Sequence, residues 1–247
     1  MPRTQRQKSA SGIYHVMIRG INRQRIFEDD EDNLKILECL QKYKAGGEFK
    51  LYAYCLMGNH LHLLINEKDD NLSQILKQVG TRFVYWYNWK YQRSGHLFQD
   101  RFKSEPVEND PYFLSVLRYI HLNPVNAKLC SDPSDYRYSS YRAYLRGTDG
   151  FVDTSFALVM IDRDEFIRYH HEENDDKCLE YESSKRISDN EAQDMIKNVT
   201  GYKDPGVIQA LALLERNDAL RRLKAERLSI RQISRLTGVS KKIVERA

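Results

Sequence analysis

Cysteine is scarce in this chain. Four residues, Cys39, Cys55, Cys130 and Cys178, are spread over 247 positions. Their spacing matches no paired metal-binding motif, and their density is far below that of a disulfide-stapled fold, so reduced thiols and a cytosolic setting are expected. Long apolar runs are also missing. No stretch approaches the roughly 18 consecutive apolar residues of a membrane span, and the basic first residues lack the apolar core of a secretory signal. Nor is there a strong charge of one sign: 39 Lys and Arg against 35 Asp and Glu leave a net charge of +4. Such a mildly basic balance permits a nucleic-acid partner without requiring one. At 29.2 kDa the chain is long enough for one large domain or two small ones, each with its own core.

Apolar periodicity organises the first part. Residues 13–19 predict a strand, and 30–44 a helix with Leu34, Leu37 and Leu40 on one side, closed by Gly46-Gly47. Residues 49–57 and 60–66 predict two strands across a Gly58-Asn59 turn. Asn71-Leu72-Ser73-Gln74 reads as a capping box opening a long helix that buries Leu72, Ile75, Leu76, Val79, Phe83 and Trp86. In that helix Tyr85 and Trp89, one turn apart, are the better candidates for stacking on bases, while the other rings read as core. A strand or hairpin over 97–107 precedes a helix that begins with Asp110 as cap and Pro111 at its first position, and that Pro124 would end. Strand, helix, strand, strand, helix, strand is the ferredoxin-like order. The predicted class is α+β: an antiparallel sheet with helices on one face and a further helix on the other, followed by an all-α C-terminal domain.

Two segments carry chemistry. In His60-Leu61-His62-Leu63-Leu64-Ile65, strand alternation sends both imidazoles to one face and Leu61, Leu63 and Ile65 to the other, giving a two-ligand platform backed by a core face. In the helix after Asn109, Phe113, Val116, Leu117 and Ile120 form the apolar stripe. Tyr112, Ser115, Tyr119 and Asn123 share a neighbouring face, with Tyr119 and Asn123 one turn apart.

His-hydrophobic-His, followed by a tyrosine on a helix carrying Asn-Pro, resembles the HUH endonucleases, and within them the REP-associated single-tyrosine transposases. Tyr14-His15-Val16, the Arg19 to Arg23 stretch, residues 97–102 and Tyr136 to Tyr141 add to the likeness, which covers roughly the first 145 residues. The resemblance implies a metal-dependent single-stranded DNA endonuclease and strand transferase acting beside DNA hairpins, in the cytoplasm of a bacterial cell with the nucleoid. His60 and His62 would hold Mg²⁺ or Mn²⁺. Asn123 is the candidate third ligand, where better-known members of the wider family often carry Gln. Tyr119 would be the nucleophile, leaving a 5′-phosphotyrosine and a free 3′-hydroxyl. Arg19, Arg23 and Arg25 are candidate phosphate contacts, and relatives act as monomers or homodimers. Two other classes compete: a DNA-binding regulator with a residual nuclease fold, and a histidine-triad nucleotide hydrolase, whose third histidine is missing from this strand.

The remainder divides in two. Residues 148–187 read as an acidic helical linker, in which His170 and His171 receive no role. Residues 188–247 read as a helical DNA-binding domain. Ser229 to Arg246 has a short amphipathic helix, a Gly238 turn and Ser240 capping a second basic helix, with Ile233, Leu236, Val239 and Ile243 pinning the two together. This resembles the helix-turn-helix of the DnaA and Trp-repressor group. Lys241 and Lys242 are its candidate DNA contacts, supported by Arg216, Arg221, Arg222, Lys224 and Arg227 before it.

Overall fold

Alternation in the first strands is realised as a sheet buried on both faces. A computed structural model describes residues 7–69, 71–147, 150–174, 176, 178–179, 189–226 and 228–247. Its N-terminal unit begins with β1 (Ile13–Arg19), α1 (Asp30–Ala45), β2 (Phe49–Met57), β3 (His60–Glu67), α2 (Leu72–Lys90) and β4 (Lys103–Pro106). The strands lie in the order β2-β3-β1-β4 and every pair is antiparallel, the ferredoxin-like arrangement. Tyr14, Val16 and Ile18 of β1 and Leu61, Leu63 and Ile65 of β3 share one core with Ile36 and Leu40 of α1 and Ile75, Val79 and Phe83 of α2.

The two helices of that layer depart from the sequence reading at their ends. Asp29 and Asp32 form a reciprocal capping box at the start of α1, and Lys90, at the end of α2, reaches Asp29 and Glu31 at 2.8 Å and Asp32 at 3.1 Å. Leu34, expected inside, is 52% exposed, and the buried side of α1 is instead Ile36, Cys39 and Leu40. The capping box expected at Asn71 does not form. Asn71 stands at φ −112°, ψ 12° instead of the extended backbone that aims a cap side chain at the third helical amide, so it makes no cap bond; the Leu72 amide is taken by the Glu67 carboxylate at 2.6 Å. Gly20 turns the chain out of β1 so tightly that a Cβ there would lie 2.3 Å from the Gln24 carbonyl oxygen.

The other sheet face is covered by α3 (Asp110–Asn126), α4 (Tyr141–Arg146), α5 (Ser155–Met160) and α6 (Arg163–His171). Asn109, not Asp110, caps α3, its side chain accepting from the Tyr112 amide. Pro124 does not end the helix, which runs on to Asn126; the proline only leaves one carbonyl a turn earlier without its amide partner. Phe113, Val116, Leu117 and Ile120 pack with Ala53, Cys55 and Leu64 of the sheet.

The expected boundary near residue 147 is also corrected. Phe151, Val152, Ala157, Ile161 and Phe166 join that same second core, so the described part of the supposed linker up to residue 179 belongs to the N-terminal unit. The stretch is acidic on average, yet Val152, Ala157, Ile161, Phe166 and His170 are buried, and their burial overrides mean composition.

The second unit holds α7 (Asp189–Thr200), α8 (Val207–Ala210), α9 (Leu213–Ala225), α10 (Ile230–Thr237) and α11 (Lys241–Arg246). Its core is Ala192, Ile196, Ile208, Leu220, Leu223, Ile233, Val239 and Val244. Ser229 caps α10, Gly238 ends it at φ 74°, and Ser240 stands at the cap position of α11 without a side-chain cap bond. Val244 takes the inward place expected of Ile243, which is 36% exposed. Arg227 lies outside the described residues. No described helix is long and apolar enough to cross a membrane.

Candidate active site

Strand register assembles the site. β1 pairs with β3 so that Arg19 lies opposite His60, Met17 opposite His62 and His15 opposite Leu64, while β4 sets Glu105 opposite His15. Alternation then turns His15, His60 and His62 to the face covered by α3, and Leu61, Leu63 and Ile65 to the opposite core. Tyr119 arrives from α3, its ring edge-on to His62 at 5.6 Å and to His15 at 5.8 Å between centroids. The His60 and His62 ring centroids are 5.0 Å apart.

Hydrogen bonds engage both ring nitrogens of His15 and leave Nε2 of His62 without a partner. Asn59 donates its amide to the Arg23 carbonyl at 3.2 Å, so its Oδ1 faces His60 and accepts from Nδ1 at 2.6 Å. A neutral His60 therefore keeps its lone pair on Nε2. His62 is fully buried. Its Nδ1 lies 2.9 Å from His15 Nε2, and its Nε2 is buried with no hydrogen-bond partner. Burial, with the Arg19 charge adding to it, pulls His60 down to about 4, and burial with the neighbouring histidines holds His62 well below the usual imidazole range. Both rings are thus unprotonated at neutral pH, the form in which imidazole binds metals.

Asn123 donates its amide to the Tyr119 carbonyl at 3.0 Å and also hydrogen-bonds the His60 ring, so it spans the nucleophile candidate's turn and the histidine strand. Tyr112, two turns earlier on the same face, is a poor rival to Tyr119. Burial and its hydrogen bond to Glu105 push its phenol far above the usual range, which disfavours the phenolate needed for attack. Among the described residues no group of three or more His, Cys, Asp or Glu side chains is arranged to hold a metal ion. A cation here would rest on two imidazoles and on neutral oxygens. His62 Nε2, an orphaned buried nitrogen, and the Asn123 amide fit that donor set.

The predicted arginines divide. Arg19 adjoins His60, whereas Arg23 and Arg25 sit on an exposed loop braced against the β2–β3 turn by the Ile26 and Phe27 amides, both bonded to the Gly58 carbonyl. Arg25 pairs with Glu28 at 3.3 Å. Lys241 and Lys242 are exposed on α11 of the second unit. Sequence reasoning assigned no role to His15, Glu105 or Asn59. Alternation in β1 already put His15 on the Arg19 side, but only cross-strand register brings it to His62.

Residues 8–123 match the family model described as transposase, IS200-like. This segment is similar to the IS200-like transposases. It contains the sheet, the paired histidines, Tyr119 and Asn123, and the structure extends it with α4 to α6. The fold is similar to that of a solved REP-associated tyrosine transposase bound to a REP hairpin, with a TM-score of 0.52, 21% sequence identity and coverage of 60% of this chain and 87% of that one. Comparison with curated proteins finds no match.

Proposed function

We propose that the protein is a metal-dependent, single-stranded DNA endonuclease and strand transferase that cuts beside DNA hairpins. The observation carrying this reading is the buried, unpartnered Nε2 of His62 next to the Tyr119 ring. A free imidazole nitrogen beside a buried phenol, in a segment similar to the IS200-like transposases, is the equipment of phosphodiester transfer. His60, His62 and Asn123 would hold Mg²⁺ or Mn²⁺. Such a cation, when bound, supplies positive charge that offsets the negative charge gathering on the phosphate oxygens.

Tyr119 performs the displacement. Its Oη gives up its proton and forms a bond to phosphorus, while the bond to the 3′ oxygen of the upstream strand breaks and that oxygen takes up a proton. A 5′-phosphotyrosine and a free 3′-hydroxyl result. The phosphodiester is exchanged rather than hydrolysed, so a 3′-hydroxyl can attack the adduct and rejoin strands without a nucleotide cofactor. Arg19, beside His60, is placed to take a phosphate oxygen. Arg23 and Arg25 line the exposed loop next to it and Lys241 and Lys242 add contacts from α11, which with α10 we read as a helix-turn-helix. The REP hairpin bound by the solved REP-associated transposase supports hairpin DNA as the partner, and we read the protein as acting as a monomer or homodimer.

The test is covalent capture. Single-stranded DNA carrying a hairpin and a labelled 3′ segment, incubated with the full chain and Mn²⁺, should yield a labelled adduct that withstands denaturation. Peptide mapping should place it on Tyr119. No adduct with any hairpin flanking the gene, or an adduct on another residue, would overturn the reading.

A further inference from the structure

Behind His62 runs a line of hydrogen bonds that ends on a carboxylate. Glu105 Oε1 lies 2.9 Å from His15 Nδ1, and His15 Nε2 lies 2.9 Å from His62 Nδ1. Glu105 also accepts from the Leu179 amide at 2.8 Å and from the Tyr112 hydroxyl. His15 is fully buried, so neither ring nitrogen has water as an alternative partner.

These contacts fix the protons one after another. An ionised carboxylate can only accept, so His15 must carry hydrogen on Nδ1. A neutral His15 then has its lone pair on Nε2, and two facing ring nitrogens at 2.9 Å need one proton between them. That proton sits on His62 Nδ1. His62 Nε2 is left as a lone pair, and this is the buried atom that has no partner.

We propose that Glu105 and His15 are positioning residues that lock His62 in the tautomer whose Nε2 can bind a divalent cation. The inference rests on the metal reading above for its purpose, but the lock itself is a property of the protein alone. The opposite proton arrangement, with His15 donating from Nε2 to His62 Nδ1, would put hydrogen on His62 Nε2 and close the site to a cation. For a neutral His15, which has one hydrogen to place, the carboxylate on Nδ1 is what forbids it. The lock also gives the segment after the IS200-like match a part in the site, because Leu179 holds Glu105 in place. Arg118 anchors the same segment, its Nε 2.7 Å from Asp176 and its guanidinium 3.8 Å from the Tyr169 ring centroid.

The experiment compares the full-length chain with Glu105→Leu, which removes the acceptor from His15 Nδ1; Glu105→Gln would not serve, because the Leu179 amide donates to the same Oε1 and would hold a glutamine oxygen there. Nitrogen-15 NMR of labelled histidine in metal-free protein reads each tautomer directly. The expected result is an unprotonated His62 Nε2 in the original chain and a protonated one in the variant. Calorimetry with Mn²⁺ alone should then show affinity lower by about 10–100-fold in the variant, the usual range for a residue supporting a metal ligand. Glu105→Asp should restore part of that affinity. A protonated His62 Nε2 in the original chain overturns the proposal even if the variant does not fold, as does unchanged Mn²⁺ affinity in a folded Glu105→Leu protein. Failure of the metal reading looks different: the original chain would hold the expected tautomer and bind no Mn²⁺.

Discussion

Tyr119 is 8% exposed and shares its surroundings with two histidines, so removing its hydroxyl changes chemistry and little else. Tyr119→Phe should lose the covalent adduct completely while keeping hairpin affinity within about twofold, because the ring and its packing stay; gel-shift titration alongside adduct capture checks both. The two histidines will not behave alike. Strand alternation alone predicts that either can be truncated without harm to the fold, since both point away from Leu61, Leu63 and Ile65. The structure corrects this for His62, which is fully buried and whose loss leaves His15 Nε2 without its donor. His62→Ala should cost about 1–3 kcal/mol of stability as well as cleavage. His60, only partly buried, should lose metal-dependent cleavage with a small stability change, as urea unfolding would measure. At Gly20 the limit is steric. A methyl group would collide with the Gln24 carbonyl and with Ile26, so Gly20→Ala should lower stability by about 1–3 kcal/mol.

Among the elements, α3 matters most, because it presents Tyr119 on one side and is held in place on another. His121 of α3 contacts His170 of α6 at 3.1 Å and the Ser140 hydroxyl at 2.8 Å, and His170 donates to the Phe166 carbonyl at 2.8 Å. Burial keeps His121 far below the usual imidazole range and takes His170 down to about 3 against its bond to Phe166. Both are neutral when folded and would take up protons below about pH 6.5 when unfolded. Their contribution is therefore fully present above pH 6.5 and is lost as pH falls toward 3. Each such group contributes a slope of at most about 1.4 kcal/mol per pH unit. Unfolding free energies measured between pH 7 and 4 should show a shallower acid loss in His170→Gln than in the original chain. An equal slope would mean that the α3–α6 contact does not set acid sensitivity.

At the scale of the whole molecule, the second unit has its own core and carries Lys241 and Lys242 exposed at its last helix. If chemistry belongs to the first unit and DNA affinity is shared, truncation near residue 188 should leave cleavage of a short single-stranded site measurable and weaken binding to longer DNA. Reversing charge at Lys241 and Lys242 should reproduce part of that loss, with the difference shrinking as salt rises, because phosphate contacts release counterions. Equal affinity of the truncated and full chains across salt concentrations would assign the second unit to something other than DNA.

The sequence by itself determined the strand and helix order, the face shared by His60 and His62, the α3 stripe and the resemblance that picks Tyr119 from 16 tyrosines. These are local properties: side-chain period, caps and short motifs set them before any distant contact forms. Tertiary structure alone decided which residues stand around those positions. It put Glu105 and His15 behind His62, set Asn59 against His60 and brought Glu67 to the first amide of α2. It also drew the described residues between 150 and 179 into the first unit, where an acidic composition had suggested a linker. Each of these depends on strand register or on which side chains become buried, and both are fixed only when segments distant in sequence meet.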